Sequence, residues 1–215
     1  MRRLLLRNIL LRKWTVALYL IILLLLPWYM ITKSIYPLFW QTFIFLVTII
    51  MFLESATAYR LFNRFGKTVA YVFQHSLPVS RMQLLNSHYL TVLGVTVMGT
   101  IVLWGYEVDH AFISINDIHF NFFWMFIAVN LFSFLFGFPQ CSEKMNDHIP
   151  LYLYIITMHF LIPLVIGLGV SGYGMVRYDN PLRYDYIDFG FWYFIVSALS
   201  ATIMYFYQVI RLKRV

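Results

Sequence analysis

Residues 77–90 read LPVSRMQLLNSHYL. Pro78 disfavours helix at Leu77, so any helix running through Gln74 stops before that residue. A new one starts at once. Ser80 followed by Gln83 has the form of a capping box, with the Ser80 hydroxyl facing the Gln83 amide and the Gln83 side chain reaching back. The predicted shape is helix, sharp proline turn, capped helix. Upstream, Phe62, Phe65, Val69, Val72 and Phe73 fall mostly three and four apart, with Arg64, Lys67 and Gln74 off that stripe. This spacing predicts a short amphipathic helix lying along a membrane or in a protein groove.

Outward from this stretch the chain is apolar. Hydrophobic residues make up 61%, aromatic residues 20% and charged residues 12% of the 215 positions, where an average soluble domain carries about 25% charged residues. That composition excludes a soluble globular domain and predicts a polytopic membrane protein. Six stretches read as spans: 14–31, 37–58, 88–106, 120–138, 150–170 and 189–210. The first measures about 27 Å at the helical rise, and Pro27 should kink its outer end. The single cysteine, Cys141, precludes an internal disulfide. Residues 1–13, MRRLLLRNILLRK, interleave five basic residues with leucines and read as an interfacial helix or as a simple topological flank. No small-residue cleavage site precedes Pro27 and Trp28, so the apolar run reads as a retained span and not a signal peptide.

Charge orients the spans. With the N-terminus inside, thirteen of the sixteen Lys and Arg residues fall on inner segments: five at the start, four in 59–87, one in 139–149 and three at the tail. The outer segments hold Lys33, Arg177 and Arg183, and residues 107–119 carry three acids and no base. The positive-inside rule then puts both termini and segment 59–87 in the cytoplasm, with 107–119 and 173–188 as extracellular loops. Topology alone accounts for the net charge of +7, and no nucleic acid is needed to explain it.

Few groups within the spans can carry chemistry. Glu54, near the inner end of the second span, either bonds Arg60 or Arg64 or belongs to a substrate path. Pro163 removes the hydrogen bond that would satisfy the His159 carbonyl one turn earlier, which marks a hinge. The His159 imidazole either lines a polar passage there or packs. Glu54, Asn130, His159 and Pro163 are thus the candidate pathway or hinge residues. Ser133 and Gly137, Ser197 and Ala201, and Ala198 and Thr202 are pairs of small residues four apart that let helices approach closely in lipid. Four glycines between 167 and 174 should loosen the outer end of the fifth span, and the longest outer loop repeats Arg-Tyr-Asp at 177–179 and 183–185. Local salt bridges and an aromatic belt, or a re-entrant lip, explain that repeat. Phe65–Thr68 reads FGKT, but Leu61 stands where the first glycine of a phosphate-binding loop belongs and no buried strand precedes it. HExxH, paired glutamates and GxSxG are absent, so neither an enzyme nor a metal centre is expected.

Residues 75–90, HSLPVSRMQLLNSHYL, follow a second apolar span and lead straight into a third. There the chain resembles the SLPVSR-type segment of short type-2 ABC exporter permeases of Gram-positive bacteria. The resemblance covers about Gln74 to Leu90; elsewhere it rests on length, six spans and a basic tail. It implies an all-α integral membrane protein of six transmembrane helices with cytoplasmic termini, an amphipathic N-terminal helix and a cytoplasmic coupling helix between spans two and three. It implies that Phe73, His75, Ser76, Leu77, Pro78, Val79, Ser80 and Arg81 contact a separately encoded ABC ATPase. Two ATPase copies would serve two permease chains, identical or paralogous, and would bind the ATP and Mg, leaving no cofactor to this chain. Many relatives carry a second basic residue after the arginine and a lysine near the end, where this chain has Met82 and His88, so the contact is less charged here. By similarity to the phenol-soluble-modulin and bacteriocin exporter permeases, the cargo is an amphipathic, membrane-active peptide moved out through the plasma membrane. Against this stands a membrane immunity or receptor protein that binds a membrane-active compound without transporting it.

Overall fold

The computed structural model describes residues 1–64, 79–108, 114–115, 118–119, 121–137, 150–180 and 189–214. These residues form helices α1 (Arg2–Leu11), α2 (Lys13–Thr32), α3 (Pro37–Glu54), α4 (Thr57–Arg64), α5 (Arg81–Gly105), α6 (Phe122–Gly137), α7 (Leu151–Ile156), α8 (Ile162–Tyr178) and α9 (Phe189–Arg214). A π-helical turn, Thr157–Leu161, joins α7 to α8. The exception to helix is a two-residue antiparallel pairing of β1 (Ser114–Ile115) with β2 (Ile118–His119).

Among the described residues five helices are long and apolar enough to cross a membrane: α2, α3, α5, the continuous Leu151–Tyr178 and α9. The fourth expected span, 120–138, is the shorter helix α6 of 16 residues, about 24 Å against a hydrocarbon core of about 30 Å. Asn121 sets its start. Its Oδ1 accepts the Trp124 amide at 3.3 Å, which satisfies one of the amides a helix N-terminus leaves free.

The central helix is α5. Of its most apolar stretch 56% is buried, against 17–22% for the other four candidate spans. It starts earlier than the expected third span, because the helix that Ser80 caps is the span itself: Ser80 Oγ accepts the Gln83 amide at 3.2 Å, and 25 residues follow without a break. Gly99 lets α5 pass close to its neighbours. A Cβ there would lie 2.7 Å from the Phe126 ring of α6 and 2.9 Å from the Met51 methyl of α3. Around this crossing Tyr19, Val47, Met51, Val95 and Phe126 form the main core.

At one end of α2 and α3, Pro37 opens α3 at a position where a missing amide costs nothing. Trp40 donates its indole hydrogen to Thr32 at 2.9 Å across the turn, and Tyr106 donates to the Ile22 carbonyl at 2.7 Å. Tyr29, Trp40, Phe43 and Tyr106 meet edge-on or tilted at 4.9–5.6 Å, the geometry ring quadrupoles prefer. Lys33 and Glu107 pair at 2.9 Å on the exposed rim. The hydrogen bond to Glu107 raises the Lys33 pKa.

Leu151–Tyr178 departs from expectation at two places. The chain widens into the π-turn just before Pro163, with the Ile162 amide reaching back to the Thr157 carbonyl; this makes room for a ring that crowds the preceding turn and supplies no amide. Beyond it the helix does not give way at its glycines. It runs to Tyr178, and Asp179 ends it in the left-handed region at φ 51°, with its amide on the Met175 carbonyl. In lipid, helix is the one conformation that satisfies these amides locally, so the outer segment expected from 173 begins as helix. Arg177 lies 5.9 Å from the ring centres of both Tyr173 and Tyr178, so rings hold the first Arg-Tyr-Asp copy. The second copy lies outside the described residues.

Candidate functional site

The segment singled out by its motif is bracketed by two helices, and the structure describes how each is held. Phe73, His75, Ser76, Leu77 and Pro78 lie outside the described residues, as does most of the amphipathic stripe. Val79 is half-buried, and Ser80 and Arg81 are exposed at the start of α5.

On the upstream side the chain leaves α3 at Glu54 and re-enters helix at Thr57. Between them Ser55 and Ala56 are fully buried, and Ala56 takes φ 62°, a conformation that costs a residue with a Cβ roughly 1–2 kcal/mol. Its surroundings hold it there. The Thr57 amide donates to Asn130 Oδ1 at 2.9 Å and the Ala58 amide to Ser133 Oγ at 3.3 Å, so two side chains of α6 cap α4 from outside its own sequence. The Asn130 amide in turn donates to the Phe126 carbonyl at 2.9 Å. Tyr59 stacks on Tyr154 of α7 at 5.8 Å and 9°, and the Tyr154 hydroxyl donates to the Val129 carbonyl at 2.7 Å. Helix α4 is thereby fastened to both α6 and α7.

The same corner holds the buried ion pair. Arg12, at the joint between α1 and α2, donates from Nη2 to Glu54 Oε2 at 2.7 Å, and Thr15 Oγ1 donates to the same oxygen at 2.8 Å. The Arg12 side chain is 3% exposed and that of Glu54 28%. Burial lowers the Arg12 pKa and the carboxylate opposes that shift; a guanidinium stays charged in either case. The sequence pointed to Arg60 or Arg64 as the partner of Glu54, and the structure gives Arg12. Arg60 turns to the backbone instead, donating from Nε to the Ser55 carbonyl at 3.1 Å and from Nη2 to the Leu53 carbonyl. It thereby satisfies carbonyls at the end of α3 that helix geometry leaves open. The Arg64 side chain lies outside the described residues.

On the downstream side α5 is tied to α1 and α9. Asn8, fully buried, donates to Thr91 Oγ1 at 3.3 Å, so α1 docks on α5 through a polar residue and does not merely lie against lipid. Tyr205 of α9 donates to Asn86 Oδ1 at 3.0 Å, and Tyr89 stacks on Phe134 at 4.1 Å and 4°.

The four candidate pathway residues are not brought to one point. Glu54 faces α2. Phe52, two residues earlier and so about 200° around the helix, faces His159 instead, with ring centres 4.5 Å apart. His159 is buried between Phe52 and Phe122, with Nδ1 3.1 Å from the Ile155 carbonyl. Pro163 follows one turn on, while Asn130 caps α4. Sequence reasoning had passed over Arg12, Thr15, Thr57 and Ser133 as site members. The one local signal was Arg12 and Thr15 three apart at the mouth of a span, which puts both on one helical face. Among the described residues no cluster of His, Cys, Asp and Glu is placed to hold a metal. No protein-family model matches the chain, and comparison with curated proteins and with solved structures gives no match either.

Proposed function

We propose that this chain is the membrane subunit of an ATP-driven ABC exporter, and that segment 59–87 is the lever through which a separate ATPase moves it. One observation carries the reading: the two helices that enter and leave the segment are both fastened into the bundle. Helix α4 hangs from Asn130 and Ser133, and the Ser80 cap starts α5, the most buried span. A displacement applied between Arg64 and Ser80 therefore reaches α6 through one end and the centre of the bundle through the other. Five long apolar helices, with α6 as a shorter sixth, enclose little passage alone. Two such chains and two ATPase copies form the working unit, and rigid-body tilting of the bundles releases cargo. Amphipathic, membrane-active peptides are the cargo this aromatic, weakly charged interior suits best.

The test is copurification. The chain is expressed with the ATPase encoded beside it, extracted in mild detergent, and compared as wild type and Arg81→Glu. A stable complex in which the variant weakens ATPase binding and uncouples hydrolysis from transport supports the reading. Absence of any ATPase association assigns the chain to the stand-alone immunity or receptor class. Full transport by Arg81→Glu and Pro78→Ala removes this segment as the coupling element.

A further inference from the structure

Between α5 and α9 lies an open groove of about 530 Å³ that the transport reading does not use. Its walls are Tyr89 and Leu93 on one side and Ala198, Thr202 and Phe206 on the other, with Phe134 and Met1 also lining it. The small residues Ala198 and Thr202, which the sequence marks as a close-packing pair, leave the space unfilled. Two of the hydroxyls along it are already spent: Thr202 donates to the Ala198 carbonyl at 2.8 Å and Tyr205 to Asn86 at 3.0 Å. An occupant gains mainly carbon contacts there.

The length of the groove matches an acyl chain. Ala198 to Phe206 spans about 12 Å along α9, which fits within one leaflet of a core about 30 Å thick. An extended acyl chain of one leaflet runs over that length. The mouth is basic. Arg2 and Arg3 are exposed and follow Met1 directly, and Lys213 is exposed two turns beyond Phe206 on the same helical face. Basic groups at the end of an intramembrane groove attract anionic head groups.

We propose that this groove binds one anionic phospholipid, its acyl chain against Tyr89, Leu93 and Thr202 and its phosphate among Arg2, Arg3 and Lys213. The test uses the full chain, delipidated in detergent and titrated with phosphatidylglycerol or phosphatidylcholine of identical acyl chains, with retained lipid counted by native mass spectrometry. Phosphatidylglycerol is expected to bind at least ten-fold more tightly. Thr202→Phe should lower its affinity at least ten-fold, and Arg2→Gln with Arg3→Gln should bring it to the phosphatidylcholine level. A phosphatidylglycerol bearing a photoactivatable acyl chain maps the site on the wild-type chain, independently of how the variants fold, and should label 89–93 and 198–206. Label spread evenly over the exposed faces of α2, α3 and α8 overturns the proposal. So does equal binding of the two lipids, or a Thr202→Phe variant that keeps its lipid but changes from dimer to monomer, which would give the groove to a second copy.

Discussion

Asn130 of α6 accepts the amide of Thr57, the first residue of α4, at 2.9 Å in a fully buried setting. A helix of 8 residues cannot hold itself together by its own hydrogen bonds, so this contact decides whether α4 forms where it does. Asn130→Ala should lower stability by about 2 kcal/mol, because it orphans a buried amide. Ser133→Ala, with its longer bond of 3.3 Å to Ala58, should cost about 1 kcal/mol. The double variant should cost less than both together, since the two caps hold one helix. Thermal unfolding in detergent micelles checks all three.

The two ion pairs described should differ in how much their loss costs. Glu54→Gln leaves Arg12 charged and buried and should cost about 3 kcal/mol, the lower end for a broken buried pair because the Glu54 side is partly open. Arg12→Gln should cost less, since the carboxylate keeps Thr15 and can turn to solvent. Lys33→Gln on the exposed rim should lower the melting temperature only slightly near neutral pH. The raised Lys33 pKa makes its share of stability fully present below the ordinary lysine value and lost as pH rises through the higher folded value. A melting series at neutral and strongly alkaline pH separates these cases.

Gly99 marks where three helices meet, and a large side chain there must displace a ring. Gly99→Leu should destabilise the chain by about 3 kcal/mol through overpacking against Phe126 and Met51. Gly94 and Gly169, which face open space, should accept alanine without loss. Yield of monodisperse protein on size exclusion, with melting temperature, reports the difference.

The π-turn before Pro163 offers a separate check on movement. Pro163→Ala returns an amide to the helix and removes the reason for the wide turn. On the export function proposed above, peptide efflux should slow several-fold while the complex with the ATPase assembles normally. An unchanged rate would make the turn a packing feature around His159.

What was legible in the sequence was local. The Ser80 cap depends on residues three apart, and the apolar runs announce themselves by length. The Arg12–Glu54 pair joins positions 42 residues apart, and nothing in either neighbourhood chooses Arg12 over the nearer Arg60. The α3–α4 corner carries no glycine or proline, so a left-handed Ala56 leaves no mark in the text; α6 side chains hold it in place. Asn121 was the overlooked signal that starts α6 late. The glycines of α8 misled in the other direction, since their propensity to break helices is a property of water more than of lipid.

Leu151–Tyr178 is a rod of 28 residues, about 42 Å long where the hydrocarbon core is about 30 Å. Among the described residues its outer part, α8, makes extensive contact only with the π-turn it continues. Packing therefore does little to fix its inclination, and the surrounding bilayer takes over that role: a thinner membrane lays the rod over and a thicker one stands it up. The lipid composition of the host membrane becomes a setting of the protein's shape.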